Sequence, residues 1–127
     1  MSDSEEERAI EAKKLVNEIG QAGWNALHYA IFLGYTDIVK ELFAYGADPN
    51  IISKDGWTPL QLAIHRTNLD SNNIKFKDNF LVMRIILKQD KVNINELTPK
   101  GTALHIAAKS GRIEFVQSLI ELGADIM

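Results

Sequence analysis

The chain has no cysteine. That excludes disulfide staples, thiolate nucleophiles and Cys-ligated zinc, and it fits a reducing compartment. No apolar run approaches the roughly 18 residues that a membrane span requires. The N-terminus, MSDSEEERAIEAKK, is acidic and unlike a secretory signal or a transit peptide. Charge of one sign is also scarce. The net charge is −3, and after residue 22 eleven acids balance eleven bases. A neutral body with a mildly acidic lead-in is a poor nucleic-acid binder. Motifs that carry chemistry are missing too: there is no GxSxG and no GxxxxGK[ST]. No two histidines stand at i, i+4 beside a carboxylate. Asp37, Asp48, Glu114 and Asp125 fall at helix starts or turns, where capping and turn formation account for them. No enzyme, no cofactor and no metal site are expected.

What is present is a returning hexapeptide. NALHYA begins at Asn25, TPLQLA at Thr58 and TALHIA at Thr102, at intervals of 33 and 44 residues. Internal repetition at such a period points to stacked helical units. Asn25, Thr58 and Thr102 suit helix N-caps, since each side chain can accept from an orphan backbone N–H. Pro59 follows at the first helical position, where its missing N–H costs nothing. Leu27, Leu60 and Leu104 then point inward, with the small Ala30, Ala63 and Ala107 three residues on. Gly34 and Gly111 end these short helices. Second helices follow with apolar residues at helical spacing, Ile38, Val39, Leu42 and Phe43, and later Ile113, Val116, Leu119 and Ile120. Gly46 and Gly123 stop them.

A TPLHxA-type motif at a period of 33, followed at fixed spacing by Gly111, Val116 and GAD, resembles the ankyrin repeat. The resemblance covers about residues 20–127 and implies an all-α solenoid of helix–turn–helix units joined by β-hairpin loops. The divisions expected are an acidic capping helix over 1–22, repeats over 23–53 and 54–95, and a third over 96–127 truncated at its C-terminal end. The cap rests on Ile10, Leu15, Val16 and Ile19, which are expected to cover the first repeat while the outer face stays polar. The chain reads as the N-terminal part of a longer protein.

The longer second interval comes from two additions. Ten residues enter the second repeat between its helices, near 67–79, where Thr67 replaces the helix-ending glycine. One more enters NELTPKG, where Lys100 occupies a position at which glycine is expected. Both additions read as loops, which tolerate length at small entropic cost. The larger one is either a tolerated surface loop or a contact loop in which Phe76, between Lys75 and Lys77, is an anchor.

The resemblance also assigns roles. The motif side chains His28, Gln61 and His105 would hydrogen-bond within the repeat and toward the next loop. Asn50 and Asn93 occupy the hairpin position that is hydroxylated in some members, although turn formation is the default role. Partner contacts in the family are made in a concave groove of hairpin tips and first helices. Carried onto this sequence, that groove comprises Trp24, Phe32, Leu33, Tyr35, Ile52, Lys54, Asp55, Trp57, His65, Arg66, Leu97 and Lys109. One side is aromatic and the other polar, and tryptophan and arginine often dominate interface energy. Trp24, Phe32 and Leu33 could equally pack against the cap helix. The implied function is a monomeric, intracellular, cytoplasmic protein-interaction module with a peptide or protein partner, no nucleic acid and no membrane insertion. The alternative is docking onto a downstream domain of the same protein, such as a lipid-transfer protein, kinase, channel or acyltransferase.

Overall fold

The computed structural model describes residues 3–20, 23–69 and 76–123. Its helices are α1 (Asp3–Val16), α2 (Ala26–Leu33), α3 (Thr36–Ala44), α4 (Pro59–Leu69), α5 (Phe76–Leu87), α6 (Ala103–Ser110) and α7 (Ile113–Glu121). Among the described residues there is no extended sheet, only the isolated bridges Ile19–Asn25 and Thr98–Gly101. The expected all-α repeat architecture is present. α2, α4 and α6 stack side by side, each paired with its own second helix, and α3 packs on α5.

The hexapeptide returns because it closes the same cap three times. His28 N–H donates to Asn25 Oδ1 at 3.1 Å, and Asn25 N–H donates back to His28 Nδ1 at 3.2 Å. Thr58 and Gln61 make the equivalent pair at 3.1 and 3.4 Å. Thr102 and His105 make it at 3.4 and 3.0 Å. Each is a capping box, with His or Gln returning a bond to the backbone of the cap residue. Gly34 and Gly111 then end α2 and α6 in the left-handed region, at φ 76° and 71°.

The core is shared between repeats, as stacking requires. Leu27, Ile31, Val39, Leu62, Ile64, Val82, Met83, Ile86, Phe115 and Leu119 are fully buried. Phe115, which the helical spacing did not single out, lies against Phe80 with ring centroids 5.8 Å apart. Ile38 and Ile113 are exposed on their helices.

Three expectations are corrected. The first concerns the cap. α1 forms, but Ile10, Leu15 and Ile19 are 56%, 71% and 52% exposed, and only Val16 packs against the core. α1 is instead latched by its end. Asn17 Nδ2 donates to Gly46 O at 3.0 Å, and Asn17 Oδ1 accepts from Asp48 N–H at 2.7 Å. Polar bonds of this kind fix a helix end without placing its apolar side chains in the core.

The second concerns the insertion, which is not only loop. α4 has 11 residues where α2 has 8, and α5 has 12 where α3 has 9, so three residues prolong each helix. Without a glycine at position 67 nothing favours a left-handed stop, and α4 runs on to Leu69.

The third concerns the hairpin glycine, which is shifted rather than missing. Gly101 closes a turn by donating to Thr98 O at 2.8 Å, as Gly56 donates to Ser53 O at 2.9 Å. Gly101 has φ 100° and Gly56 φ 92°, a region that L side chains rarely adopt. In this register Lys100 occupies the turn position of Asp55. The tryptophan that separates Gly56 from the cap Thr58 has no counterpart between Gly101 and Thr102.

Candidate partner-binding face

Each turn locks onto the unit before it. Lys54 N–H donates to Gly23 O at 3.1 Å. His28 Nε2 lies 3.2 Å from both Ile51 O and Trp57 O. Because Nδ1 accepts the cap N–H, the Nε2 of His28 carries the proton and donates to these carbonyls. Gln61 does the same for the next turn, with Nε2 donating to Gly101 O at 2.9 Å and Glu96 O at 3.3 Å. Thr98 Oγ donates to Gln61 Oε1 at 3.1 Å. Asn50 clasps the far ends of the repeats: Nδ2 donates to Lys91 O at 2.7 Å, and Oδ1 accepts from Asn93 N–H at 2.6 Å. The framework that presents the face is therefore bonded through side chains at both ends.

Trp24 and Asp55, both expected at partner contacts, meet each other. Trp24 Nε1 donates to Asp55 Oδ1 at 2.9 Å. Ser53 Oγ also donates to that oxygen. Burial alone would raise the Asp55 carboxyl, but the bonds from Ser53 and Trp24, its own backbone N–H and the charge of Lys100 hold it below its ordinary value. The Trp24 ring packs on Tyr29 and edge-on against Phe32, at 5.2 and 5.5 Å between centroids. Phe32 itself is half-buried against the core.

Trp57 and His65 come together differently. Their rings stack with centroids 4.4 Å apart and planes 24° from parallel. Lys100 Nζ stands 4.7 Å from the centre of the Trp57 ring, in cation–π range. Trp57, His65, Pro99, Lys100, Ile106 and Lys109 line one open pocket of about 300 Å³ between α4, α6 and the Thr98–Gly101 turn. Burial, and then the charge of Lys100, lower the pKa of His65, so its ring is neutral at physiological pH.

The other expected contacts are dispersed. Ile52 and Leu97 are exposed near the turns, and Lys54 is exposed beside Asp55. Leu33 is exposed on the last turn of α2. Tyr35 lines a separate depression with Ile38 and does not join the Trp57 pocket. Lys75 lies outside the described residues, as do the side chains of Arg66, Phe76 and Lys77. Lys100 was not among the expected contact residues. Its signal in the sequence was the occupation of a glycine position. Among the described residues no group of three or more His, Asp or Glu side chains could hold a metal. No helix there is long and apolar enough to cross a membrane.

Comparison with known proteins agrees with this geometry. A family model for ankyrin repeats in three copies matches residues 7–76 and 45–127. Mouse protein phosphatase 1 regulatory subunit 12A is 31% identical over 109 residues, covering 77% of this chain and 10% of that protein. Palmitoyltransferase AKR1 of Lachancea kluyveri is 31% identical over 110 residues, covering 84% of this chain and 14% of that protein. Zebrafish Notch-regulated ankyrin repeat-containing protein B is 40% identical over 48 residues, covering 38% and 43%. The chain thus spans about a tenth of the first of these relatives and less than half of the third. Three capping boxes in one stack and a family match along nearly the whole sequence lead to one conclusion: the chain belongs to the ankyrin-repeat family, whose repeats are protein-interaction modules.

Proposed function

We propose that this chain binds a peptide or protein partner along the face formed by its turns and first helices, and does so without catalysis. The pocket at Trp57 carries the reading. It draws side chains from α4, α6 and the turn between them, so it exists only when two repeats are stacked. Its aromatic wall offers area with little entropy to lose, and its cations offer register. Trp24 belongs to the scaffold of this face rather than to its contact surface, because its indole N–H is already bonded to Asp55. The test is affinity capture with wild type beside a Trp57→Ala, Lys109→Ala variant, both checked for native circular dichroism. A partner held by wild type and lost by the variant supports the reading. Identical captures by the two proteins would move the binding site elsewhere.

A second reading is docking onto another domain of a longer polypeptide, within a cytoplasmic protein. Two observations favour it. The relatives include a phosphatase regulatory subunit and a palmitoyltransferase, of which this chain covers only a small part. Ile113, Ile120 and Leu122 also leave apolar surface exposed on and just after α7, at 62%, 44% and 51%. Polar substitutions at Ile113 and Ile120 would leave the capture unchanged under the first reading and disrupt it under the second.

A further inference from the structure

We infer that the Trp57 pocket receives a carboxylate side chain, Asp or Glu, from an acidic segment of the partner protein. The inference rests on the proposed binding face and specifies what that face recognises.

The molecule carries its own template for the contact. In the first repeat the tryptophan before the cap, Trp24, gives its indole N–H to a carboxylate at the next turn, Asp55. In the second repeat the equivalent tryptophan is Trp57, and the equivalent turn position holds Lys100. The indole N–H of Trp57 makes no hydrogen bond among the described residues, whereas that of Trp24 does. The carboxylate has been exchanged for a cation, and that cation lies over the Trp57 ring.

The pocket therefore collects donors and positive charge without a negative group to match. Trp57, His65, Lys100 and Lys109 line it, with the ammonium of Lys100 over the indole ring, and among the described residues no carboxylate does. The neighbouring acid, Asp55, feels the charge of Lys100 but is engaged by Trp24 and Ser53. A pocket of about 300 Å³ is ample for a Glu side chain. Hydrogen bonds to an ionised acceptor are the strong ones, and Lys100 would gain an ion pair while keeping its aromatic contact.

The test uses a random, unphosphorylated 12-residue peptide library displayed on phage and selected against the whole chain. Selected peptides are then synthesised in pairs, with Asp or Glu replaced by Asn or Gln. Binding is read by the two indole N–H resonances, assigned with Trp24→Phe. The acidic peptides are expected to shift the Trp57 indole signal, to leave that of Trp24 in place, and to weaken about tenfold when neutralised. Lys100→Asp, which places an Asp55-like acid beside Trp57, should shift that signal without peptide and reduce binding at least tenfold. Lys100→Gln should reduce it less. Peptides that bind in a Trp57-dependent way but keep full affinity after neutralisation would overturn the carboxylate while leaving the face intact. Selection of peptides that never move the Trp57 signal would overturn both.

Discussion

Trp24 and Asp55 stand 31 positions apart and are joined by a 2.9 Å hydrogen bond from indole to carboxylate. The bond ties the start of one repeat to the turn of the next. Asp55 is exposed, so the bond is partly screened by water. A double-mutant cycle of Trp24→Phe and Asp55→Asn is expected to return a coupling of about 0.5–1 kcal/mol in urea unfolding. The carboxyl is held below its ordinary value, so its contribution is present above about pH 4 and disappears as pH falls through the folded pKa. A coupling of zero at neutral pH would remove Trp24 from the scaffold and return it to the free face.

Asn25 offers a stabilising substitution. Its Oδ1 caps α2, but its Nδ2 is buried with no hydrogen-bond partner among the described residues. The same position holds threonine in the other two repeats, and Thr102 caps α6 with nearly the same backbone angles. Asn25→Thr keeps the capping oxygen and discards the unbonded N–H. It is expected to raise stability by about 1 kcal/mol, read from the denaturation midpoint at unchanged m-value. Destabilisation would mean that the amide has a partner in solution, such as a bound water.

His28 makes stability sensitive to acid. Burial lowers its pKa, against the opposing effect of the Trp57 and Ile51 carbonyls and the Asp55 charge. The folded state therefore favours neutral imidazole, and the unfolded state binds the proton first. Stability is full above about pH 6.5 and falls below it, with a limiting slope of about 1.4 kcal/mol per pH unit. Protonation at Nδ1 would also cost the bond from Asn25 N–H. Gln61 fills the same role one repeat later without titrating. His28→Gln should fold and flatten the stability profile between pH 5 and 7, whereas an unchanged slope would assign the titration to another group.

His65 provides a direct reading of the Trp57 pocket. Burial is the larger cause of its lowered pKa and the charge of Lys100 the smaller. Lys100→Gln is therefore expected to raise the His65 pKa in an NMR titration without restoring its ordinary value. Lys100→Asp should raise it further. No movement in either variant would place the ammonium away from the imidazole in solution.

Much of this molecule was legible in advance. The cap residues, the helix-ending Gly34 and Gly111 and the His28–Gln61–His105 series act over three or four positions, within reach of local spacing. The α1 latch was not legible, because Asn17 bonds to Gly46 and Asp48 across about thirty positions. Apolar residues at helical spacing in α1 suggested burial, but periodicity cannot say whether a surface waits for them. The helical growth of α4 and α5 was also hidden, since an Asn- and Asp-rich stretch reads as loop whether or not its flanks prolong neighbouring helices.

The repeat, its caps and its turns follow from residue type and spacing alone, because hydrogen bonds between near neighbours depend on both. Which tryptophan is occupied depends instead on contacts between repeats. Trp24 and Trp57 have the same local setting, Gly before and a cap residue after. Their difference lies in the turn of the following repeat, where Asp55 completes one and Lys100 charges the other. That pairing depends on how the 98–101 turn settles its glycine at positive φ, and with it which side chain is carried back over the preceding ring.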